Sequence, residues 1–139
     1  MRVATERLPP GQVITKKWPV LHYSHVPQVD TSKWTLKVFG EVERPLELSW
    51  DELNALPMTK TLCDMHCVTR WSRYDNTFDG VSVKEILRRA QVRPAANYAL
   101  IFADPDYPTN LPLSDLDRPE NLIGLRWSGE PLAAEHGGP

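Results

Sequence analysis

The sequence lacks any long apolar run, and this excludes a helix that crosses a membrane. No stretch of the chain approaches the roughly 20 apolar residues that such a helix needs. The first residues, Met1 to Gln12, are polar and lack the apolar segment of a signal peptide. We therefore expect a cytoplasmic protein without a membrane span, unless a leader has been removed.

The sequence also has few cysteines and no excess of positive charge, and each of these absences excludes a class of protein. Two cysteines are too few for the disulfide framework of a small secreted domain. The formal net charge of −2 gives no basic excess, so a general nucleic-acid binder is not expected. The sequence shows neither an internal repeat nor a low-complexity tract. Its 139 residues suit a single globular domain.

Prolines and apolar periodicity predict an α+β fold with a mixed sheet. Thirteen prolines disfavour a helical bundle. Four of them, Pro9, Pro10, Pro19 and Pro27, predict that residues 1–32 form an extended arm. Strands are predicted from alternation or compact apolar runs at 34–39, 45–48, 59–63, 98–103 and 122–127. Residues 98–103 are expected to be a core strand, and residues 104–110 a polar loop.

Two capping boxes predict two short helices. Ser49 and Glu52 have the spacing of a capping box and predict a helix from residue 50 to about residue 55. Ser82 and Glu85 repeat the spacing before a second helix, which Pro94 is expected to end. In that helix the apolar residues fall on one face. Strands outnumber helices, which supports the α+β class.

Residues 63–72 contain the densest group of reactive side chains. The group includes Cys63, His66, Cys67 and Arg70, and it follows a predicted strand. The cysteines have a structural interpretation as small buried hydrophobes. Cys63, His66 and Cys67 also suggest zinc, although their spacing differs from that of usual zinc sites. The third interpretation is one thiolate, beside a cationic Arg70, that binds a thiophilic metal held mainly by a cofactor.

Short motifs spread through most of the chain point to one family. They lie at 7–12, 18–23, 34–36, 40–42, 49–53, 66–72, 107–113, 129–132 and 136–139. The strongest is His66-Cys67-Val68-Thr69-Arg70-Trp71-Ser72. In their order and number these motifs resemble the sulfite oxidase family of molybdopterin-dependent oxidoreductases. The resemblance is greatest to the short bacterial members that lack a haem domain and a dimerisation domain.

The resemblance implies a molybdenum–molybdopterin cofactor and two-electron, oxygen-atom-transfer chemistry on a small substrate. Cys67 falls where the family places its molybdenum ligand, and Tyr107 falls where sulfite oxidases have an active-site tyrosine. We predict these two as catalytic residues. Further residues are predicted to bind or support the cofactor: His22, Tyr23, Arg70 and His136. The family's fold, a mixed sheet with short helices, is expected over residues 33–139.

Each predicted site residue also has a structural interpretation. Tyr107 would pack its ring within a loop, and His22 and Tyr23 would pack the arm on the core. Arg70 would be a solvated surface charge, and His136 an exposed residue at a frayed terminus. On these interpretations the chain is a non-catalytic apo or truncated homologue that serves as an interaction domain, or a small zinc-binding domain.

Two departures from the family pattern affect the expected function. Leu21 stands where sulfite oxidases have an arginine that helps bind the anionic substrate, so sulfite is a doubtful substrate. The sequence also ends at Pro139, before the basic segment with which the family grips the pterin phosphate. We therefore expect a domain that lacks its final strands. The sequence shows no haem or flavin motif, so a separate redox protein is the expected electron partner.

Overall fold

A mixed sheet of five strands forms the centre of the protein. The computed structural model describes residues 7–104 and 106–139. The longest strand of the sheet, β5 (Trp71–Ser82), pairs with β1 (Val13–Ile14) in parallel. It pairs antiparallel with β4 (Met58–His66) and with β8 (Leu122–Trp127), and β8 pairs with β9 (Glu130–Pro131). The arm therefore enters the main sheet through β1.

Two antiparallel hairpins lie outside this sheet. One joins β2 (Thr35–Val38) to β3 (Leu46–Ser49), and the other joins β6 (Tyr98–Ala103) to β7 (Tyr107–Pro112). The predicted α+β class with a mixed sheet is confirmed. Strands occur at all five predicted places, with ends shifted by a few residues.

The first predicted helix is confirmed together with its cap. Helix α1 (Trp50–Asn54) begins at Ser49, whose hydroxyl accepts from the Glu52 backbone N–H at 3.2 Å. The Glu52 carboxylate in turn accepts from the Ser49 N–H at 2.8 Å. This reciprocal pair satisfies two backbone donors that the first helical turn would leave free.

The second helix forms as predicted, but its predicted capping box is wrong. In α2 (Val83–Ala90) Ser82 makes no side-chain capping bond. Glu85 instead binds Arg88 at 2.8 Å and Arg89 at 2.7 Å, and two guanidinium groups outcompete one backbone amide for its carboxylate. The helix ends at Ala90, before Pro94, because Gln91 takes a left-handed conformation at φ 54°.

A small apolar core joins the helices to the sheet. It consists of Leu53 from α1, Ile86 from α2, Val81 from β5 and Leu125 from β8. Residues of the β2–β3 hairpin pack against this cluster. Two shorter helical turns, α3 (Leu113–Leu116) and a 3₁₀ turn (Ala134–His136), lie in the second half of the chain. None of the described helices has the length and apolar character needed to span a membrane.

The predictions for residues 98–110 are partly wrong. Residues 98–103 do form a strand, but it is not in the core: Tyr98 is 71% exposed and Phe102 is 63% exposed. The reason is that β6 pairs with β7 in a separate two-stranded sheet, away from the buried cluster. The predicted polar loop at 104–110 is mostly strand β7, which starts at Tyr107. Pro105 lies outside the described residues.

Candidate active site

Cys67 lies at the turn of the β4–β5 hairpin. Strand β4 continues to His66, so the reactive segment is not a loop after a strand as predicted, but the end of a hairpin. The Cys67 N–H donates to the Trp71 carbonyl at 2.9 Å, and the Arg70 N–H donates to the Cys67 carbonyl at 3.0 Å. Arg70 takes a left-handed conformation, φ 72°, that closes the turn. Backbone hydrogen bonds on both sides of Cys67 thus hold this residue in the hairpin turn.

Hydrogen bonds favour the thiolate form of Cys67. The Thr69 hydroxyl donates to Sγ of Cys67 at 3.0 Å and lowers the pKa of the thiol. The backbone N–H groups of Thr69 and Val68 lower the pKa further. The pKa of Cys67 is therefore lowered by hydrogen bonds from its own turn, and the charge of Arg70 is not among the causes.

The pKa of the second cysteine, Cys63, is shifted in the opposite direction. Burial raises the pKa of the Cys63 thiol, and the nearby Asp64 carboxylate raises it further. Both cysteines are free thiols, so they do not form a disulfide with each other. Within residues 7–104 and 106–139, no three or more His, Cys, Asp or Glu side chains converge in a metal-binding group. The zinc interpretation of Cys63, His66 and Cys67 therefore has no structural support.

Cys67 lines a wide concavity of about 2160 Å³. This volume exceeds the roughly 300–1,000 Å³ of ordinary small-molecule sites. The predicted site residues that line it with Cys67 are His22, Tyr23, Tyr107 and His136. Residues that are far apart in the chain therefore line the same concavity. Arg70 is exposed and is not among the lining residues.

Aromatic contacts connect the arm to two other segments that line the concavity, strand β7 and the C-terminal 3₁₀ turn. The rings of Tyr23 and Tyr107 lie 5.2 Å apart between centroids. Trp18 stacks on His136 at 3.8 Å with an interplanar angle of 11°. The His136 side chain is only 12% exposed, so its interpretation as an exposed terminal residue is wrong. Both contacts bring arm residues to the walls of the cavity, where His22 and Leu21 are exposed.

Gly138 makes the compact turn after His136 sterically possible. A Cβ at this position would lie 1.8 Å from the Leu132 carbonyl oxygen, a distance that real Cβ atoms do not reach. Gly137 precedes it with φ 92°, in the region that favours glycine. The Gly-Gly pair thus lets the chain fold back on itself and keep His136 against Trp18.

The sequence analysis missed a partly buried hydrogen-bond network at the turn. The Gln12 amide nitrogen donates to the Cys67 carbonyl at 3.0 Å. The Ser72 hydroxyl, fully buried, donates to the Gln12 amide oxygen at 3.0 Å. Nδ1 of His66 lies 2.8 Å from the same hydroxyl. Nothing local in the sequence reveals this network, because Gln12 is 55 residues from Cys67.

Comparison with known families assigns the chain to one group. The sequence profile of the oxidoreductase molybdopterin binding domain matches residues 23–139. The chain belongs to this family. Its cofactor is therefore molybdenum–molybdopterin, as the resemblance implied, and its general class is oxidoreductase. The matched residues include the β4–β5 hairpin that presents Cys67, whereas Trp18, Leu21 and His22 of the concavity precede them.

Curated relatives extend the match over nearly the whole chain. The uncharacterized oxidoreductase YuiH of Bacillus subtilis is 42% identical over 134 residues, which are 96% of this chain and 68% of YuiH. The putative protein-methionine-sulfoxide reductase subunit YedZ1 of Azospira oryzae is 29% identical over 94% of this chain and 50% of its own length. The protein-methionine-sulfoxide reductase catalytic subunit MsrP of Xanthomonas axonopodis pv. citri is 30% identical over 78% of this chain and 38% of its own.

A solved structure confirms the fold. The sulfane dehydrogenase SoxCD from Paracoccus pantotrophus superposes with a TM-score of 0.74 over 84% of this chain and 34% of that chain. At 19% identity this likeness concerns the fold alone.

The residues at the cavity fit a molybdopterin-held metal. A thiolate is a ligand for a thiophilic metal, and Cys67 offers one partly exposed thiol with a lowered pKa. The cavity is wide enough to admit a cofactor larger than a simple ion. A site with one protein sulfur suits a metal whose other ligands come from its cofactor.

Proposed function

We propose that the chain is the cofactor-holding part of a molybdenum oxidoreductase in which Cys67 ligates the metal. The observation that supports this most strongly is the contrast between the two thiols. The pKa of Cys67 is lowered and its side chain lines the cavity, whereas the pKa of Cys63 is raised by burial. Only a thiolate is an effective metal ligand.

The other lining residues have proposed roles in holding the cofactor and the substrate. When bound, the molybdenum supplies two-electron redox chemistry that protein side chains lack. His22, Tyr23 and His136 would hold the cofactor from the arm and from the C-terminal turn. The Tyr107 hydroxyl would donate a hydrogen bond to a substrate oxygen. Arg70, which is exposed within the turn, would contact the cofactor, and only the family resemblance supports this role.

We propose a neutral sulfoxide as the substrate class. Two of the relatives carry the name of protein-methionine-sulfoxide reductases. Leu21 lines the cavity and is 67% exposed, so this position offers no positive charge for a desolvated sulfite dianion. The net reaction takes two electrons and two protons, cleaves the S–O bond and releases a thioether and water. A separate redox protein would deliver the electrons, and reduced viologen can replace it in an assay.

We propose that residues 33–139 form the cofactor-binding domain and that residues 1–32 form the arm that supports it. A cytoplasmic location is proposed from the polar sequence of residues 1–12, of which residues 1–6 lie outside the described part. Cell fractionation of the full-length gene product tests this location.

Replacement of each cysteine tests the metal assignment. The chain is produced in a host that makes molybdopterin, and molybdenum per chain is measured by elemental analysis. We expect Cys67→Ser to lose sulfoxide reduction and to change or remove the molybdenum signal, because a hydroxyl is a poor substitute for a thiolate. The matched control, Cys63→Ser, should keep both. Unchanged molybdenum spectroscopy in Cys67→Ser would disprove the assignment.

A comparison of two substrates tests the proposed preference for a sulfoxide. Methionine sulfoxide is supplied with reduced viologen, and sulfite is supplied with an artificial electron acceptor. We expect turnover of the sulfoxide and little turnover of sulfite. Efficient sulfite oxidation would contradict the argument from Leu21 while leaving the metal assignment intact.

A further inference from the structure

We infer that Gln12 is a positioning residue, which tethers the Cys67 turn and fixes the His66 imidazole so that Nε2 offers a hydrogen-bond acceptor to the cavity. This inference rests on the proposed function only where it treats Cys67 as the metal ligand. The hydrogen-bond network itself is a property of the chain without its cofactor.

The arm holds the Cys67 turn at several points. The Val13 N–H donates to the Arg70 carbonyl and the Thr15 N–H to the Ser72 carbonyl, each at 2.8 Å. These are backbone bonds that many sequences would make. Gln12 adds a side-chain bond to the carbonyl of Cys67 itself, at 3.0 Å. Its amide thus restrains the backbone of the residue whose sulfur is the proposed ligand.

The partners of Gln12 determine the direction of every hydrogen bond in the network. The Cys67 carbonyl only accepts, so the Gln12 NH₂ group must face it and the amide oxygen must face Ser72. The Ser72 hydroxyl has one proton, which it donates to that oxygen. The bond between Ser72 and His66 therefore requires the proton on Nδ1 of the imidazole.

These donor and acceptor roles leave Nε2 of a neutral His66 without a proton. His66 is exposed and lines the cavity, and the described residues supply Nε2 with no hydrogen-bond partner. The imidazole therefore favours an occupant that presents an N–H or O–H donor at this wall. In this respect it differs from a flexible surface histidine, whose tautomer is free to change.

Two substitutions at Gln12 separate its effect on the Cys67 turn from its effect on the His66 tautomer. In Gln12→Glu the carboxylate still accepts from Ser72 but has no proton for the Cys67 carbonyl. In Gln12→Met the side chain keeps its approximate length and loses both bonds. Val13→Thr is the matched control, because the Val13 side chain is 69% exposed and takes no part in the network.

The experiment uses the full chain without cofactor and two NMR readouts. Long-range ¹H–¹⁵N correlations report the His66 tautomer at about pH 8, where an ordinary imidazole is neutral. The His66→Gln spectrum identifies the signal among those of the four histidines. Hydrogen exchange of the Cys67 and Arg70 amides reports the stability of the turn.

We expect the Nδ1–H tautomer in the parent chain, in Gln12→Glu and in Val13→Thr, and a shift towards Nε2–H in Gln12→Met. Both Gln12 variants should speed exchange of the turn amides by roughly 2- to 10-fold, the effect of one lost hydrogen bond. An Nε2–H tautomer in the parent chain would overturn the inference. So would unchanged spectra in Gln12→Met, or equal changes in Val13→Thr. Since none of these readouts needs molybdenum, failure of the metal assignment is distinguishable from failure here.

Discussion

Strands β5 and β8 approach each other too closely at Gly80 to admit a side chain, and Gly80→Ala measures how much the fold depends on this contact. A Cβ at position 80 would lie 2.1 Å from the Ile123 carbonyl oxygen and 2.9 Å from its carbonyl carbon. Real Cβ atoms essentially never come closer than 3.0 Å, so the strands must separate by about 0.9 Å. The obstacle is backbone, which cannot rotate away as a side chain would.

The separation determines the expected cost. Ladder hydrogen bonds of about 2.9 Å would stretch to roughly 3.8 Å, beyond useful hydrogen-bond length. Overpacking costs about 1–3 kcal/mol, and each weakened ladder bond adds about 1 kcal/mol. We expect Gly80→Ala to lower the free energy of unfolding by about 3 kcal/mol in urea titrations. The corresponding decrease in Tm is roughly 10 °C for a domain of this size.

Gly124 provides the matched control, because it is the register partner of Gly80 across the same strand pair. A Cβ built on Gly124 meets no atom within 4 Å. Gly124→Ala should be neutral or stabilise the fold by about 0.5 kcal/mol, since alanine restricts the unfolded chain. Equal destabilisation by the two substitutions, or a Gly80→Ala variant as stable as the parent, would refute the steric reasoning.

Two further predictions follow from the charges and hydrogen bonds. In a Cys63→Ser background, Thr69→Val removes the bond to the Cys67 sulfur, so the thiol pKa should rise and iodoacetamide should alkylate Cys67 more slowly near neutral pH; an unchanged or faster rate would contradict this. Arg88 and its neighbouring arginine lower the pKa of Glu85 from 4.5 to about 2. The contribution of these ion pairs to the stability of the fold is therefore present above about pH 4.5 and is lost as the pH falls through about 2. Urea titrations of Glu85→Gln should show a small deficit at neutral pH that disappears near pH 2, whereas a deficit that persists there would exclude the ion pair as its cause.

Local sequence patterns predicted five of the strands and both longer helices, but they missed β5 (Trp71–Ser82), the longest strand of the main sheet. The capping box at Ser49 and Glu52 formed because both partners lie within one helical turn. The same spacing failed at Ser82 and Glu85, where arginines in the next turn bind the carboxylate instead. Both sites have the motif, but at the second site the arginines compete with the backbone amide for the Glu85 carboxylate, so the capping box does not form.

Burial was harder to predict than strand formation. The apolar run 98–103 forms a strand, as its composition indicated, yet it lies in an exposed hairpin. Periodicity reports which faces of a strand are apolar, but it does not report which element covers them. The short strand β1 was missed for a related reason: its pairing partners, Trp71 and Ser72, lie far along the chain.

The α+β class, both longer helices, the family and the cysteine proposed as the metal ligand could all be predicted from the sequence alone. These features depend on residues that are close together in the chain or on motifs whose order is preserved. The groups that act on that cysteine became visible only in the folded chain. The Thr69 bond depends on the shape of a turn, and the Gln12 network and the Trp18–His136 stack join distant segments. Such contacts arise from how the chain packs on itself, which no local pattern encodes.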